Sequence, residues 1–212
     1  MIKLSRFLAL FLFVFGLSSL ASSQVAVGAV KNKQDPFTNI EEMTSELLVI
    51  IAQHKSNFPN NESAYFNALN DLMTGFVDFD FVAKKVMGKY AKSSAKDQRE
   101  RFEAVFRKGL VETYGRGLMS YGNEKIVLIN KQTLPAKQRR VLAKQEIRSD
   151  AAVYPLHYLM YRKKATGEWN IVNVSLNGID LSKTFASQFL NAVRKSSGDI
   201  DQVIDSWMSG SN

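Results

Sequence analysis

The segment from Ser94 to Tyr121 constrains the fold most strongly, because its apolar residues recur every three or four positions. This spacing predicts one long amphipathic helix with an aromatic face. Ser94 is predicted to cap its first turn, and Asp97 to complete a capping box and to complement the helix dipole. The predicted buried face consists of Phe102, Val105, Phe106, Leu110, Thr113, Tyr114, Leu118 and Tyr121.

Three glycines, Gly109, Gly115 and Gly117, interrupt this helix. Each costs about 1 kcal/mol relative to Ala in a helix interior. A neighbouring element that packs closely on the backbone would explain each of them. The alternative is that the glycines leave room for a bound molecule, and the sequence leaves both explanations open.

Three further helices are predicted before the long one. The first begins at Asp35-Pro36, because Asp favours the cap and Pro the first turn. The second carries apolar residues at helical spacing between Tyr65 and Phe76, and Asp78 can cap a third that ends near Gly88. Residues 35–121 are therefore predicted to be mainly helical.

The pattern changes to that of strands after position 122. Residues 125–129, 141–148, 153–162 and 169–176 are rich in β-branched and aromatic residues and are separated by turn signals. Residues 122–180 are therefore predicted to form the sheet, and residues 181–208 two C-terminal helices. This order predicts an α+β fold, with the helical part packed on a mostly antiparallel sheet of about four strands.

The first 23 residues have the organisation of a signal peptide. Lys3 and Arg6 precede an apolar run at 7–17, which is too short to span a bilayer, and then a stretch of small residues. Cleavage is predicted after Ala21 or Ser23, with Ala29 as a third site and an uncleaved anchor as the alternative. Residues 24–212 are predicted to form a single exported domain. The chain contains no Cys, which excludes thiol catalysis and disulfides.

Catalytic and metal-binding patterns are missing from the sequence. His54 and His157 are far apart and lack neighbouring ligands, and a capping role accounts for Asp78 beside Asp80. We therefore predict neither a catalytic site nor a metal site. The apolar composition fits a carrier of apolar cargo, and it equally fits a filled core.

The net charge of +8 indicates a basic surface, which suits anionic headgroups or an acidic protein partner. Export makes nucleic acid an unsuitable partner. The basic residues are densest between positions 84 and 108, where they form either a solvated face or a contact surface. They are Lys84, Lys85, Lys89, Lys92, Lys96, Arg99, Arg101, Arg107 and Lys108.

Several motifs resemble those of the MlaC family of periplasmic phospholipid-binding proteins, also called toluene-tolerance proteins. They lie at 87–90 (Met-Gly-Lys-Tyr), 166–171 (Thr-Gly-Glu-Trp-Asn-Ile), 177–179 (Asn-Gly-Ile) and 198–201 (Gly-Asp-Ile-Asp). The likeness extends in order over the whole mature chain. It implies a nuclear-transport-factor-like fold with an internal cavity for the acyl chains of a phospholipid, which is cargo rather than a cofactor.

The resemblance also implies a location and partners. A family member shuttles phospholipid across the periplasm and so maintains the lipid asymmetry of the outer membrane. Its implied partners are an outer-membrane lipoprotein–porin complex and an inner-membrane MCE-domain protein of an ABC transporter. The protein itself is expected to be a monomer without enzymatic activity.

The predicted lipid-binding residues combine the apolar faces of the predicted elements with family positions. The resemblance places Ile179 in the pocket lining, and it turns Leu159 and Tyr161 inward. Ile179→Glu is accordingly predicted to abolish lipid retention in a folded protein. The complete predicted set is Val82, Val105, Leu110, Tyr114, Leu118, Leu159, Tyr161, Val172, Val174, Ile179, Leu181 and Phe185.

Two positions depart from the family pattern, and two other functions stay open. An acidic residue common in the last strand is Asn173 here, and an Arg common after Phe185 is Ala186. One alternative is a small-molecule enzyme of the cone-shaped nuclear-transport-factor-like fold, which would need His157 or Asp80 to face the pocket. The other alternative is a lipid-free adaptor of a transporter.

Overall fold

The computed structural model describes residues 35–58 and 60–207, and the predicted signal peptide at 1–23 lies outside these ranges. The described residues form seven helices and five strands, which confirms the α+β class. No helix within these ranges is both long and apolar enough to cross a membrane. The elements are α1 Pro36–Lys55, α2 Glu62–Phe76, α3 Phe79–Met87, α4 Tyr90–Ser93, α5 Lys96–Leu118, β1 Lys125–Leu128, β2 Arg140–Arg148, β3 Val153–Arg162, β4 Trp169–Leu176, β5 Ile179–Asp180, α6 Leu181–Lys195 and α7 Ile200–Ser206.

Aspartate caps fix the predicted starts of two N-terminal helices. The Asp35 carboxylate accepts a hydrogen bond from the backbone N of Thr38 at 2.7 Å, with Pro36 in the first turn of α1. The Asp78 carboxylate accepts one from the backbone N of Phe81 at 3.1 Å. Each carboxylate satisfies a backbone donor that has no partner within its helix, so both predicted caps are confirmed.

The predicted cap of the long helix was wrong by one residue. α5 begins at Lys96 with Ala95 at the N-cap, and the Gln98 side chain accepts a hydrogen bond from the Ala95 backbone N at 3.0 Å. Ser94 instead ends the one-turn helix α4, since its hydroxyl donates to the Tyr90 carbonyl at 2.7 Å. The short helix α4 was not predicted. Because the Ser94 hydroxyl bonds to α4, it does not form the predicted capping box of α5.

The sheet has the strand order β1-β2-β3-β4-β5, and every neighbouring pair is antiparallel. The four predicted strands are present, and β5 is a fifth strand of only two residues. Asn177 and Gly178 connect β4 to β5 with φ angles of 50° and 80°, as a two-residue hairpin loop requires. A strand of two residues is too short to show an alternating pattern in the sequence.

A β-bulge interrupts the pairing of β3 with β4. Leu159 pairs with Asn173, but the next residue, Met160, pairs with Ile171, so Val172 has no partner across the strand. An extra residue of this kind reverses the faces to which later side chains point. The bulge therefore changes which residues of β4 face the helices.

Three clusters of buried apolar residues hold the helices and the sheet together. The sheet cluster joins α1 and α2 to β2, β3 and β4, and includes Phe37, Phe76 and Met160. The C-terminal helix cluster joins α3, α5, α6 and α7, and includes Phe102 and Phe189. The N-terminal helix cluster joins α1, α2 and α5, and consists of Ile51, Tyr65, Leu69 and Val111.

A close neighbour explains why position 115 of α5 is glycine. A Cβ added there would lie 2.8 Å from Leu69 Cδ1 and 3.1 Å from the Phe66 ring, whereas one added at Gly117 would meet nothing within 4 Å. The Tyr65 hydroxyl donates to the Gly115 carbonyl at 2.9 Å, and burial raises the pKa of Tyr65 to about 12. Close packing of α2 therefore explains Gly115 and leaves Gly117 unexplained.

Candidate functional site: an apolar cavity

A cavity of about 190 Å³ lies where the three clusters meet. The N-terminal helix cluster contributes Leu69 and Val111, the sheet cluster contributes Ile171, and the C-terminal helix cluster contributes Val82 and Phe106. Side chains from α2, α3, α5, β4 and α6 therefore surround one space. The complete wall consists of Leu69, Met73, Val77, Phe79, Val82, Phe106, Leu110, Val111, Tyr114, Gly115, Leu118, Ile171, Asn173, Val174, Leu181, Ser182 and Phe185.

Seven of the twelve predicted residues line this cavity. The amphipathic pattern of α5 and the apolar starts of α3 and α6 place them there, with one further residue from β4. They are Val82, Leu110, Tyr114, Leu118, Val174, Leu181 and Phe185.

The two predicted residues of β3 lie on the other face of the sheet. Tyr158 and Met160 are buried and belong to the sheet cluster, and side chains alternate along a strand, so Leu159 and Tyr161 point away from this cluster. Tyr161 is 42% exposed and stacks on Phe81, with the ring centroids 6.4 Å apart. Both faces of β3 are apolar, which is why the sequence alone could not decide between them.

The other three predicted residues are outside the cavity wall for different reasons. Val105 packs against the C-terminal helix cluster without reaching the cavity. Val172 is the buried extra residue of the bulge. Ile179 is 54% exposed on β5, so a carboxylate placed there would remain in water.

Several residues of the wall were not predicted. Leu69 and Met73 belong to the apolar face of α2, and a helical pattern does not distinguish a face that packs from one that lines a space. The bulge brings Val174 onto the same face of the sheet as Ile171, and Asn173, which lies between the bulge and Val174, also lines the cavity. Its departure from the family pattern was the signal that could have identified it.

Apart from Tyr114, the polar residues of the wall lie at the end where β4 leads into α6. The Asn173 side-chain oxygen accepts hydrogen bonds from the backbone N of Ser182, at 3.1 Å, and from the Ser182 hydroxyl. Asp180 caps α6 by accepting from the backbone N of Lys183 at 3.0 Å. Burial acts to raise the pKa of Asp180, but the bond from Lys183, the Asn173 side chain and the charges of Lys85 and Lys183 lower it overall.

The one ionisable side chain in the cavity wall is Tyr114, and burial raises its pKa. His157 and Asp80, one of which the enzyme alternative requires in the pocket, are not part of the wall. Among the described residues, no group of three His, Asp or Glu side chains is arranged to hold a metal ion. The cavity can therefore accept apolar groups, and its wall offers no acid–base pair for a reaction.

Comparisons with known proteins agree on one family. The family model described as MlaC protein matches residues 41–209. The toluene tolerance protein ttg2D of Pseudomonas putida is 32% identical over 179 residues, which cover 82% of this chain and 80% of that protein. The intermembrane phospholipid transport system binding protein MlaC of Haemophilus influenzae is 20% identical over 196 residues, covering 92% and 89% of the two chains.

A solved structure shares the fold. It is the phospholipid-binding protein from Ralstonia solanacearum in complex with a phospholipid, which superposes with a TM-score of 0.73 at 16% identity. The match covers 84% of this chain and 96% of that one. The arrangement of helices and sheet is thus that of a known phospholipid-binding protein.

Proposed function

Because the chain belongs to the MlaC family, we propose that it is a periplasmic carrier that moves phospholipid between the outer and inner membranes. This transport would maintain the lipid asymmetry of the outer membrane. The proposed partners are an inner-membrane MCE-domain protein of an ABC transporter and an outer-membrane lipoprotein–porin complex. The observation that carries the proposal is the cavity, whose wall is apolar except for Tyr114, Asn173 and Ser182.

The energetics of transport explain why an apolar cavity suffices. Exposing two acyl chains of about thirty methylenes to water costs about 0.8 kcal/mol per methylene, or about 25 kcal/mol in total. A wall of Leu, Val and Phe side chains replaces the apolar surroundings of the bilayer and removes most of this cost. Transport then requires no covalent step, and we propose a carrier without enzymatic activity.

The size of the cavity indicates that its walls move when lipid binds. Its volume is about 190 Å³, whereas sites for drug-sized ligands span about 300–1,000 Å³. A phospholipid therefore requires this space to enlarge when it binds. Val105, Leu159, Tyr161, Val172 and Ile179 lie outside the present wall, and for them contact with lipid stays a prediction.

A vesicle assay tests the proposed function. The mature chain is added to donor vesicles that contain a fluorescent phospholipid and to unlabelled acceptor vesicles. We expect transfer to accelerate in proportion to protein concentration, because each carrier removes the barrier to lipid desorption. Transfer at the rate seen without protein would contradict the proposal.

A basic surface formed by α3, α4 and the turn between them predicts how transfer depends on salt. Lys85, Lys89 and Lys92 form no ion pair with another residue of the described ranges, whereas Lys96 and Lys108 pair with Glu100 and Glu112. Such a surface would attract vesicles that contain anionic lipid. We expect transfer to anionic acceptors to slow as salt rises from about 0.01 to 0.15 M, over which the Debye length falls from about 30 to 8 Å.

The control for this prediction removes the same charge elsewhere. A variant with Lys85, Lys89 and Lys92 changed to Gln should lose most of the salt dependence. Replacing Lys125, Lys137 and Lys164, which are also exposed, should leave it nearly unchanged. An equal effect of the two variants would show that net charge, rather than this surface, is responsible.

A further inference from the structure

We propose that a surface groove between α5, α6 and α7 holds the glycerol and headgroup of the phospholipid whose acyl chains occupy the cavity. This inference rests on the proposed function, because it assigns a binding site to the polar half of the phospholipid that the carrier is proposed to bind. The α5–α6 groove, as we call it, has a volume of about 500 Å³. Its wall includes Gly109 and Thr113 of α5, Gln188 and Ala192 of α6, and Trp207 at the end of α7.

The groove and the cavity are separated by a partition of single side chains. Phe106, Leu110, Tyr114 and Phe185 line both spaces. The Phe185 ring contacts the other two rings edge-on, with centroids 5.3 Å from Phe106 and 6.4 Å from Tyr114. Rotation of the Tyr114 and Phe185 side chains would therefore join the two spaces without any rearrangement of the backbone fold.

The two sides of this partition differ in polarity, as the acyl chains and the headgroup of a phospholipid do. The cavity side is apolar, whereas the groove side also presents the exposed polar side chains of Thr113, Gln188 and Ser206. Apolar groups and a few placed polar groups are the usual lining of a small-molecule site. Together the two spaces fall within the range of about 300–1,000 Å³ that such sites occupy.

The seam between α5 and α6 is held more firmly at one end than at the other. Near α7, Phe102 is fully buried, with its ring centroid 4.8 Å from that of Phe189 and 5.1 Å from that of Trp207. Arg101 adds ion pairs to Asp201 and Asp205 of α7 at 2.6 and 2.9 Å. At the other end Tyr114 is 44% exposed. The seam can therefore open at Tyr114 while α7 keeps the other end closed.

The two tryptophans of the chain provide a direct test. Trp207 lines the groove, whereas Trp169 is buried in the sheet cluster and lines neither space. Trp169→Phe leaves Trp207 as the one fluorophore, and Trp207→Phe leaves Trp169. Each variant is loaded with phosphatidylcholine that carries a nitroxide on its headgroup. We expect Trp207 to lose most of its emission relative to unlabelled lipid, and Trp169 to lose little.

A second experiment blocks the groove without altering the cavity wall. Gln188→Trp places an indole in the groove, and Ser187→Trp places one at a neighbouring exposed position of α6 outside it. We expect Gln188→Trp to slow vesicle-to-vesicle transfer by about tenfold, a change of about 1.4 kcal/mol in the barrier. Ser187→Trp should transfer at the rate of the unchanged protein.

The outcomes separate this inference from the proposed function. Lipid that is retained while the headgroup label quenches Trp169 as strongly as Trp207 would overturn the groove assignment and leave the carrier intact. Equal transfer by Gln188→Trp and Ser187→Trp would do the same. Failure of the unchanged protein to retain any lipid would instead overturn the proposed function.

Discussion

Replacing Val174 by Glu is expected to leave the purified protein folded and without phospholipid. Val174 lies on β4 after the bulge, half-buried, and its side chain lines the cavity. An ionised carboxylate loses its hydration when acyl chains fill the space around it, and a protonated one requires a raised pKa. A penalty of about 3 kcal/mol or more lowers the affinity for lipid by a factor of about 100.

The matched control places the same carboxylate on the same sheet but in water. Val153 is the first residue of β3 and is 52% exposed, so Val153→Glu should keep its lipid. Lipid content is measured by organic extraction and phosphate analysis, and folding by the thermal transition. Because Val174 also packs against the sheet cluster, Leu181→Gln provides a second cavity variant with a smaller structural change. Undiminished lipid in both cavity variants would show that the cavity does not hold the phospholipid.

The largest effect on stability is expected from Phe102→Ala. Phe102 is fully buried, and its ring lies against those of Phe106, Phe189 and Trp207, with centroids 4.8 to 5.7 Å away. Removing such a ring leaves a cavity that the neighbouring rings cannot fill, which costs about 3–5 kcal/mol. The free energy of unfolding is measured by urea denaturation followed by circular dichroism.

Phe81→Ala is the comparison for this change. Phe81 is 45% exposed and stacks on Tyr161 alone among the aromatic rings of the described residues. Its removal should cost about 1 kcal/mol or less, since surface substitutions have small effects. Equal losses in Phe81→Ala and Phe102→Ala would show that the aromatic cluster between α5, α6 and α7 does not hold these helices together.

Local sequence signals predicted most of the fold. Asp35 and Asp78 each cap a helix where the sequence predicted a helix start, because capping depends on residues within one turn. The Asn177-Gly178 pair ends β4 in a tight hairpin for the same reason. The sequence missed α4 and β5, whose four and two residues are too short to show a period.

The candidate site was less predictable because it depends on contacts between distant segments. Whether Leu159 or Met160 faces the helices is decided by the packing of α1 and α2 on the sheet, and β3 is apolar on both faces. The bulge that brings Val174 onto the same face as Ile171 leaves no mark in the sequence of β4. Apolar periodicity alone does not reveal that Leu69 of α2 lines a space.

Native mass spectrometry of the freshly purified mature chain tests the central claim most directly. We expect a population heavier than the bare chain by the mass of a phospholipid, and this extra mass should disappear after extraction with organic solvent. The same phospholipid should be recovered in the extract. A chain that carries the bare mass throughout, together with an extract free of phospholipid, would contradict the carrier and favour a lipid-free adaptor.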